Sequence, residues 1–396
     1  MKIVYIHQYF KTPSEGGAIR SYHLARKLVV DGHSVEMVTS RNADKYEMVN
    51  IDGITVHYLP IHYSNSYGFI RRLVAFIRFI HQAFHLIRKF QNVDFVYATS
   101  TPLTVGILAL RIKRKLGVPY IFEVRDLWPD APIEMGMIKN RLIQQRLFKL
   151  EKKIYDQAMA VIALSPPVKK IIESRTHIPV YLIPNFSDND FFKSGNIDLK
   201  LKDDLQLEGS MVTIYSGAIG KVNRLESLID LALVCQEKNM PAKFLIIGKG
   251  AMMDHLKRIV LVNQLSNIVF IPHKNKFELL PFLNLAHAAY ISFEAPSILE
   301  TSSPNKFFDA LAAGKLIIYN KKGWIKELIE SHQCGFYADP DHPENAYEKL
   351  RGFFENPIKL AEYQTNAVKL SYHYSKNKMT TYFSEIIKLT TVHLNH

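Results

Sequence analysis

A lysine and an aspartate stand three positions apart in a segment that predicts the start of a helix. The segment runs from Ser303 to Asp309; Pro304 suits a first helical position, and Ser302 or Ser303 can cap it. The first turn of a helix offers free backbone N–H groups, which together with Lys306 would bind an anion. Asp309, one turn further on, could accept two hydrogen bonds from a ribose diol. A capped helix with solvated side chains is the alternative interpretation.

Three glycine turns follow predicted strands, and each could bring backbone N–H groups close to phosphate. Two cations near the second turn could neutralise a diphosphate. The glycine spacing matches neither a Walker loop nor a complete dinucleotide fingerprint, so nicotinamide cofactors are not expected. Each turn could also be a plain connection between elements. The residues concerned are Gly17, Gly217, Lys221, Arg224, Gly248 and Gly250.

A charged and aromatic cluster follows the predicted strand 120–123. Arg125, Asp126 and Trp128 stand at the carboxyl end of that strand, where ligands bind in open α/β sheets. Asp126 could orient a substrate there. The structural alternative is a capping aspartate that forms an ion pair with Arg125.

Short β-branched runs alternate with helical patterns along most of the chain, first from residue 2 to 123 and again from about 211 to 319. This alternation predicts two α/β units of the Rossmann-like, doubly wound kind that face a cleft. Polar residues between the two series, over 185–210, predict a linker. The predicted divisions are an acceptor domain over 1–187, a nucleotide-sugar domain over 188–375, and a helix over 376–396 that packs back toward the first domain.

The net charge of +13 belongs almost entirely to the first half of the 396 residues. Residues 1–185 contain 26 basic and 14 acidic side chains, whereas 186–396 contain 24 and 23.

Two distant cysteines exclude a disulfide framework and a cysteine-based metal site. His81 with His85, and the Asp188-Asn-Asp190 triplet, resemble metal ligands but lack the required neighbours. No metal and no cofactor is therefore expected.

The segment 69–90 predicts a basic amphipathic helix. A polar stripe and an apolar face lie on opposite sides of this helix. The stripe consists of Arg71, Arg78, Gln82, His85 and Lys89, and the apolar face consists of Phe69, Leu73, Phe76, Ile77, Ile80, Phe84 and Ile87. Such a helix can lie on an anionic membrane, and it can equally cover a sheet. The charges within the apolar run and the strand-like N-terminus predict neither a membrane span nor a signal peptide. We therefore expect a cytoplasmic protein, with Arg71, Arg78 and Lys89 as candidate membrane contacts.

Four motifs together resemble a family 4 glycosyltransferase, and within it the WbuB-like branch that builds bacterial surface polysaccharides, including O-antigen. They are Gly16-Gly17, Arg125-Asp-Leu-Trp-Pro129, Pro184-Asn-x-x-Asp188 and the segment Ser303–Lys315. The resemblance implies a GT-B fold, a donor nucleotide in the C-terminal domain, and transfer with retention and without a metal. The candidate donor-binding residues are then Gly17, Gly217, Lys221, Arg224, Gly248, Gly250, His273, Ser302, Ser303, Asn305, Lys306 and Asp309.

The resemblance also implies roles for single residues. Asp309 takes the place of the second glutamate of the family's Glu-x7-Glu motif, while the first falls at Thr301, with Glu300 one place away. Lys306 and Arg224 would stabilise the leaving diphosphate, and Asp126 would orient the acceptor; these three are the candidate catalytic residues. The expected reaction moves a sugar, UDP-linked and with an N-acetylated amino sugar as one candidate, to a lipid-diphosphate-linked glycan. Arg125 and Trp128 would contact that acceptor at the inner face of the plasma membrane.

Two other classes stay open. A nucleotide-sugar epimerase can share this fold, but it would need neither a lipid acceptor nor a basic surface. The basic half would also attract a nucleic acid backbone, although no nucleic-acid motif supports that interpretation. Nucleic acid is therefore not expected as a partner.

Overall fold

The computed structural model describes residues 1–13, 15, 19–64, 67–100, 102–193, 195–294 and 297–394. The chain divides into two compact units, one of residues 1–184 with the chain from Met379 onward, and one of residues 185–378. The division falls after residue 184, whereas the sequence predicted it after residue 187. The last helix returns to the first unit, where the ring of Phe383 lies 5.1 Å from that of Tyr97. Gly17 lies outside the described residues.

An eight-stranded sheet forms the centre of the first unit. Its strands are β1 (Lys2–Ile6), β2 (Ser34–Arg41), β3 (Glu47–Ile51), β4 (Ile54–Pro60), β5 (Phe95–Thr99), β6 (Tyr120–Val124), β7 (Val161–Ala163) and β8 (Val180–Leu182). The order across the sheet is β3-β4-β2-β1-β5-β6-β7-β8, and only the β3–β4 pair is antiparallel. The direction of strand addition therefore reverses between β1 and β5. A crevice for ligands opens at such a reversal, at the carboxyl ends of the strands.

Helices cover the sheet because both of its faces are apolar. They are α1 (Arg20–Val30), α2 (Phe69–Ile87), α3 (Thr104–Leu116), α4 (Asp130–Glu134), α5 (Arg141–Asp156) and α6 (Pro166–Glu173). The strands β1, β5 and β6 are almost wholly buried, as the near-continuous apolar runs of a parallel sheet require. Helices α2 and α3 contact each other, as do α3 and α5, so these three share one layer.

A buried arginine joins distant parts of the first unit. The guanidinium of Arg20 donates to the Glu123 carboxylate at 2.8 Å and to the carbonyl oxygens of Ile183 and Pro184 at 2.9 and 2.6 Å. Both charged side chains are almost completely inaccessible to solvent. Helix α1, the carboxyl end of β6 and the segment after β8 are thus held by one side chain.

The second unit is built on a six-stranded parallel sheet. Its strands are β9 (Met211–Ala218), β10 (Ala242–Lys249), β11 (Ile268–Ile271), β12 (Ala288–Ile291), β13 (Leu316–Tyr319) and β14 (Gly335–Tyr337), in the order β11-β10-β9-β12-β13-β14. This is the Rossmann order, with its reversal between β9 and β12. The helices are α7 (Leu199–Asp204), α8 (Glu226–Glu237), α9 (Met253–Val262), α10 (Lys276–Leu285), α11 (Asn305–Ala312), α12 (Trp324–Ser331), α13 (Pro343–Phe354) and α14 (Pro357–His373). The last helix, α15 (Lys376–Thr391), belongs to the first unit from Met379 onward.

The predicted linker over 185–210 is wrong. Phe192 and Leu207 are buried in the core of the second unit, and helix α7 lies between them in the chain. Asn189 also donates to the Ser371 hydroxyl of α14 at 2.7 Å. A few well-spaced apolar residues were sufficient to anchor this polar segment, which periodicity alone does not reveal.

Helix α2 packs on the first unit through part of its apolar face. The buried residues are Ala75, Phe79, Ala83, Phe84 and Ile87, whereas Leu73 and Ile77, which belong to the predicted apolar face, are exposed. The side chain of Phe69 lies outside the described part of the chain. Among the described residues, no helix is both long and apolar enough to cross a bilayer.

We expect Arg20→Met to destabilise the first unit by about 3–5 kcal/mol, because it leaves the Glu123 carboxylate buried and unpaired. The double variant Arg20→Met/Glu123→Leu should recover most of that loss. Urea unfolding followed by Trp128 fluorescence, in a Trp324→Phe background, would report on this unit, since these are the two tryptophans of the chain. Arg26→Met on the same helix is the control, and an equal effect there would contradict the assigned role of Arg20.

Candidate functional site in the second unit

A half-buried lysine lies where the strand order of the second unit reverses. The Lys306 Nζ atom stands 4.1 Å from the centroid of the Tyr215 ring, on β9, and 5.7 Å from that of Phe293, just after β12. It would lie 3.8 Å from a Cβ atom on Gly217. The structure thus brings Lys306 and Gly217 together at the carboxyl ends of β9 and β12, as the sequence predicted.

Among the described residues, the positive charge of the Lys306 amine is balanced by no carboxylate and faces only the two aromatic rings. It forms no hydrogen bond or ion pair within the described part of the chain, and burial lowers the pKa of its amine to about 7. A buried cation of this kind is costly unless an anion accompanies it. The arrangement therefore favours binding of a negatively charged ligand at this point.

Asp309 lines the same small cavity as Lys306, together with Ser216 at the end of β9. Burial raises the pKa of its carboxyl to about 7, although the nearby charge of Lys276 opposes the rise. The carboxyl is thus available to exchange a proton or to accept hydrogen bonds near neutral pH. These properties suit the ribose contact expected of Asp309, which stays a prediction.

The start of α11 is held differently from the prediction. Pro304 is the N-cap, not the first helical residue, and no side chain caps the helix. The predicted capping by Ser302 or Ser303 is wrong: the Ser303 hydroxyl accepts from the Asn185 backbone N–H at 3.2 Å, and Ser302, whose carbonyl accepts from the Trp324 indole at 2.9 Å, lies two residues before the N-cap. The opening turn, with Asn305 and Lys306, consequently keeps backbone N–H groups without a side-chain cap.

Two of the predicted glycines are required by backbone packing. A Cβ on Gly248 would lie 1.9 Å from the Gly217 carbonyl oxygen, and one on Gly250 would lie 2.1 Å from that of Ile219. The ends of β9 and β10 could not approach each other with any side chain there. Gly217 is different, since its missing Cβ faces the Tyr215 hydroxyl and Lys306 at ordinary contact distances.

The other predicted donor residues differ in their availability. The Arg224 guanidinium forms an ion pair with Asp341 at 2.7 Å, whereas Lys221 is exposed in a short 3₁₀ turn. His273 is exposed beyond β11, the edge strand. Glu300 forms an ion pair with Lys321 at 3.6 Å. The structure therefore groups Gly217, Lys306 and Asp309, and leaves Arg224 neutralised by a neighbour.

The first unit presents its predicted residues at the carboxyl end of β6. The Arg125 guanidinium donates to Nε2 of His7 at 3.3 Å, and its backbone N–H donates to the Ser100 hydroxyl at 3.0 Å. Asp126 is solvent-exposed, and desolvation by the surrounding protein raises its pKa although Arg125 opposes the rise. Trp128 is half-buried. Among the described residues Arg125 forms no ion pair with an aspartate, and Asp130 binds Arg175 at 2.7 Å.

The described residues hold no group of three or more histidine, cysteine, aspartate or glutamate side chains that could ligate a metal. In the Asp188–Asp190 triplet, Asp188 forms an ion pair with Lys376 at 2.9 Å. Its first member therefore serves the packing of α15.

Family models match both halves of the chain. One described as a glycosyl transferase 4-like domain matches residues 15–185, and one described as glycosyl transferases group 1 matches residues 198–370. The chain belongs to the family 4 glycosyltransferases. Its two Rossmann-like units are those of the predicted GT-B architecture.

Known proteins similar to this glycosyltransferase include the probable glycosyltransferase WbjE of Pseudomonas aeruginosa, 22% identical over 63% of each chain. Among solved structures, sucrose-phosphate synthase of Thermosynechococcus elongatus matches with a TM-score of 0.79 at 14% identity, over 98% of each chain. HepE of Anabaena, solved in complex with UDP-glucose, matches with a TM-score of 0.71 at 16% identity, over 98% of this chain and 99% of that one. These structures share the GT-B fold of this glycosyltransferase.

Sequence reasoning missed Tyr215 and His7. The ring of Tyr215 supports the Lys306 amine, and His7 accepts the hydrogen bond from Arg125. Both stand at or next to the carboxyl end of a predicted strand, which was the available signal, but their partners are distant in the chain.

We expect Lys306→Met to raise the melting temperature of the ligand-free glycosyltransferase at about pH 7. An unfolded lysine keeps its proton to about pH 10.4, whereas folded Lys306 loses it near pH 7, so the unfolded state binds more protons between these values. The folded wild type consequently gains stability as the pH rises, and the advantage of the variant should shrink toward about pH 10. Thermal unfolding across this range tests the expectation; Lys221→Met is the control, and a pH-independent difference would contradict it.

Proposed function

We propose that this glycosyltransferase transfers a sugar from a UDP-linked donor to a lipid-diphosphate-linked saccharide, with retention and without a metal, in bacterial surface polysaccharide synthesis. The observation that carries the proposal is the half-buried Lys306 amine at the strand reversal of the second unit, which has no ion-pair partner among the described residues. HepE of Anabaena, which binds UDP-glucose, has the same fold and supports the choice of donor. An O-antigen glycan and an N-acetylated amino sugar are the acceptor and donor sugar that the WbuB-like resemblance favours.

Lys306 would stabilise the charge that grows on the diphosphate as the sugar leaves. A cation held by protein in a desolvated place stabilises such charge more strongly than one in water. Gly217 would allow the phosphates to approach β9, and both Asp309 oxygens would accept from the ribose diol. Lys221 would approach the diphosphate from the exposed 3₁₀ turn, whereas Arg224 would first have to leave Asp341.

Retention would follow from attack on the same face of the sugar as the departing phosphate, with that phosphate accepting the acceptor's proton. Asp126 would orient the acceptor hydroxyl, because its raised pKa and solvent access allow it to accept a hydrogen bond at the carboxyl end of β6. No protein nucleophile is assigned in this proposal.

The acceptor's lipid would lie near an exposed basic and apolar surface of the first unit. On α2, the apolar side chains Ile70, Leu73, Val74 and Ile77 are 41–77% exposed, and the exposed cations Arg71 and Arg78 stand among them. Neither α2 nor α3 contains an acidic residue. Since α2 follows β4 and α5 follows β6, both helices begin at the carboxyl edge of the sheet, where Arg125 and Asp126 lie. We propose that this surface, the α2 surface, contacts anionic lipid at the cytoplasmic face of the membrane.

Binding of UDP-glucose should be linked to protons in a way that changes sign with pH. At about pH 8 free Lys306 is mostly neutral, so the diphosphate should draw a proton onto it; at about pH 6 Asp309 is mostly protonated, so the ribose should release one. UDP-glucose is chosen because its diphosphate diester does not titrate near neutral pH. Calorimetry in buffers of different ionisation enthalpy measures both effects.

Variants identify which residue takes up the proton at about pH 8 and which releases the proton at about pH 6. Lys306→Met should abolish uptake at about pH 8 and keep release at about pH 6, Asp309→Asn should do the reverse, and Lys221→Met should keep both. Proton linkage that survives in Lys306→Met at the higher pH would contradict the proposed donor site. Conversion of UDP-glucose to an isomer without acceptor would identify an epimerase instead.

The double variant Arg71→Gln/Arg78→Gln should weaken binding to phosphatidylglycerol vesicles roughly thirty-fold, since each basic residue near an anionic surface contributes about 1 kcal/mol. Ile70→Gln/Ile77→Gln should weaken it as well, because apolar insertion is lost. Co-sedimentation measures both. The control is Leu261→Gln/Val262→Gln, an exposed apolar pair in the second unit. Equal binding by all variants, or no preference over phosphatidylcholine, would exclude the α2 surface as the membrane contact.

A further inference from the structure

A histidine at the end of the first strand holds Arg125 without neutralising it. His7 follows β1 and is 2% exposed, and its Nε2 atom stands 3.3 Å from the Arg125 guanidinium. A guanidinium has no acceptor atom, so Nε2 must accept this hydrogen bond and Nδ1 must carry the imidazole proton. Burial and the charge of Arg125 both lower the pKa of His7, which keeps the ring neutral.

The neutral acceptor distinguishes Arg125 from Arg20 and Arg175, two arginines of the first unit that face carboxylates. Arg20 is compensated by Glu123, and Arg175 by Asp130 and Glu151 at 2.7 and 2.9 Å. Arg125 forms no ion pair within 4 Å in the described part of the chain. An imidazole thus orients the guanidinium without cancelling its positive charge, and the neighbouring Asp126 carboxyl interacts with that charge without forming an ion pair within 4 Å.

Further polar atoms at the same strand end lack partners. The Nδ1–H donor of His7 has no hydrogen-bond acceptor among the described residues, and the completely buried amide of Gln8 has none for either of its polar atoms. Buried donors of this kind are rare unless water or a ligand satisfies them. They lie where the strand order of the first sheet reverses between β1 and β5, beside the carboxyl end of β6.

We propose that His7 is a positioning residue for Arg125, and that the two form a subsite for a phosphoryl group in the first unit, separate from Lys306. The inference rests on the proposed transferase function only for the source of that group, which is the acceptor's lipid diphosphate or the donor's diphosphate. A guanidinium that has no ion-pair partner among the described residues and whose orientation is fixed suits a phosphoryl oxygen pair.

The test compares substitutions of His7 that differ in whether residue 7 still offers Arg125 a hydrogen-bond acceptor and in whether it adds a negative charge. Gln reaches the position of Nε2, so His7→Gln should keep Arg125 oriented, whereas His7→Asn reaches only the position of Nδ1. His7→Glu also reaches Arg125 but cancels its charge. We expect His7→Asn to weaken binding of farnesyl diphosphate about tenfold, the strength of one hydrogen bond to a charged group. His7→Gln should stay within about threefold of wild type, and His7→Glu should be weaker than His7→Asn.

The measurements use the full chain with Lys306→Met, so that the donor-side lysine does not bind the probe, and UDP-glucose binding is measured in parallel with Lys306 intact. If His7→Asn weakens binding of farnesyl diphosphate alone, the subsite belongs to the acceptor. If it weakens binding of UDP-glucose alone, the subsite belongs to the donor. Arg125→Met should reproduce the loss. Unchanged affinity for both ligands in His7→Asn, or equal losses in His7→Gln and His7→Asn, would overturn the proposal. Normal UDP-glucose binding in these variants would leave the donor site of the proposed function intact in either case.

Discussion

The first unit depends on a single guanidinium that satisfies three buried acceptors. Arg20 binds a carboxylate 103 positions away in the chain and the two carbonyls that precede the second unit. Because a buried carboxylate without a partner is so costly, helix α1, β6 and the segment after β8 must assemble together. Arg125 and Asp126 directly follow that fixed strand end. The positions of Arg125 and Asp126 therefore depend on an interaction that lies outside the proposed acceptor site.

Cations in this protein divide into those that are paired with a carboxylate and those that have no such partner among the described residues. Arg20, Arg175 and Arg224 each face a carboxylate, and each connects segments far apart in the chain. Lys306 faces aromatic rings and Arg125 faces a neutral imidazole, and both lie at the carboxyl edge of a sheet. The chemical nature of the partner, more than burial or position, distinguishes the two groups.

The sequence predicted the alternation of strands and helices and the place of Lys306, because both depend on local patterns. It missed the β3–β4 hairpin, although Asp52-Gly53, both with positive φ, is a strong turn signal between apolar runs. It left open whether Leu73 and Ile77 cover the sheet, because the helix period does not say how much of an apolar face is buried. It also gave Ser303 to a cap, because the Asn185–Ser303 contact spans 118 positions and has no local pattern. Pairings such as His7–Arg125 were beyond reach for the same reason.

The meeting of Gly248 with the Gly217 carbonyl has a consequence for engineering this enzyme. At this edge of the second sheet the ends of β9 and β10 meet backbone to backbone, and a methyl group is already too large at Gly248. Neither Gly248 nor Gly250 could therefore be replaced to introduce a new side chain here. A change in the ligand preference of this edge would have to be made at the residues around the turn.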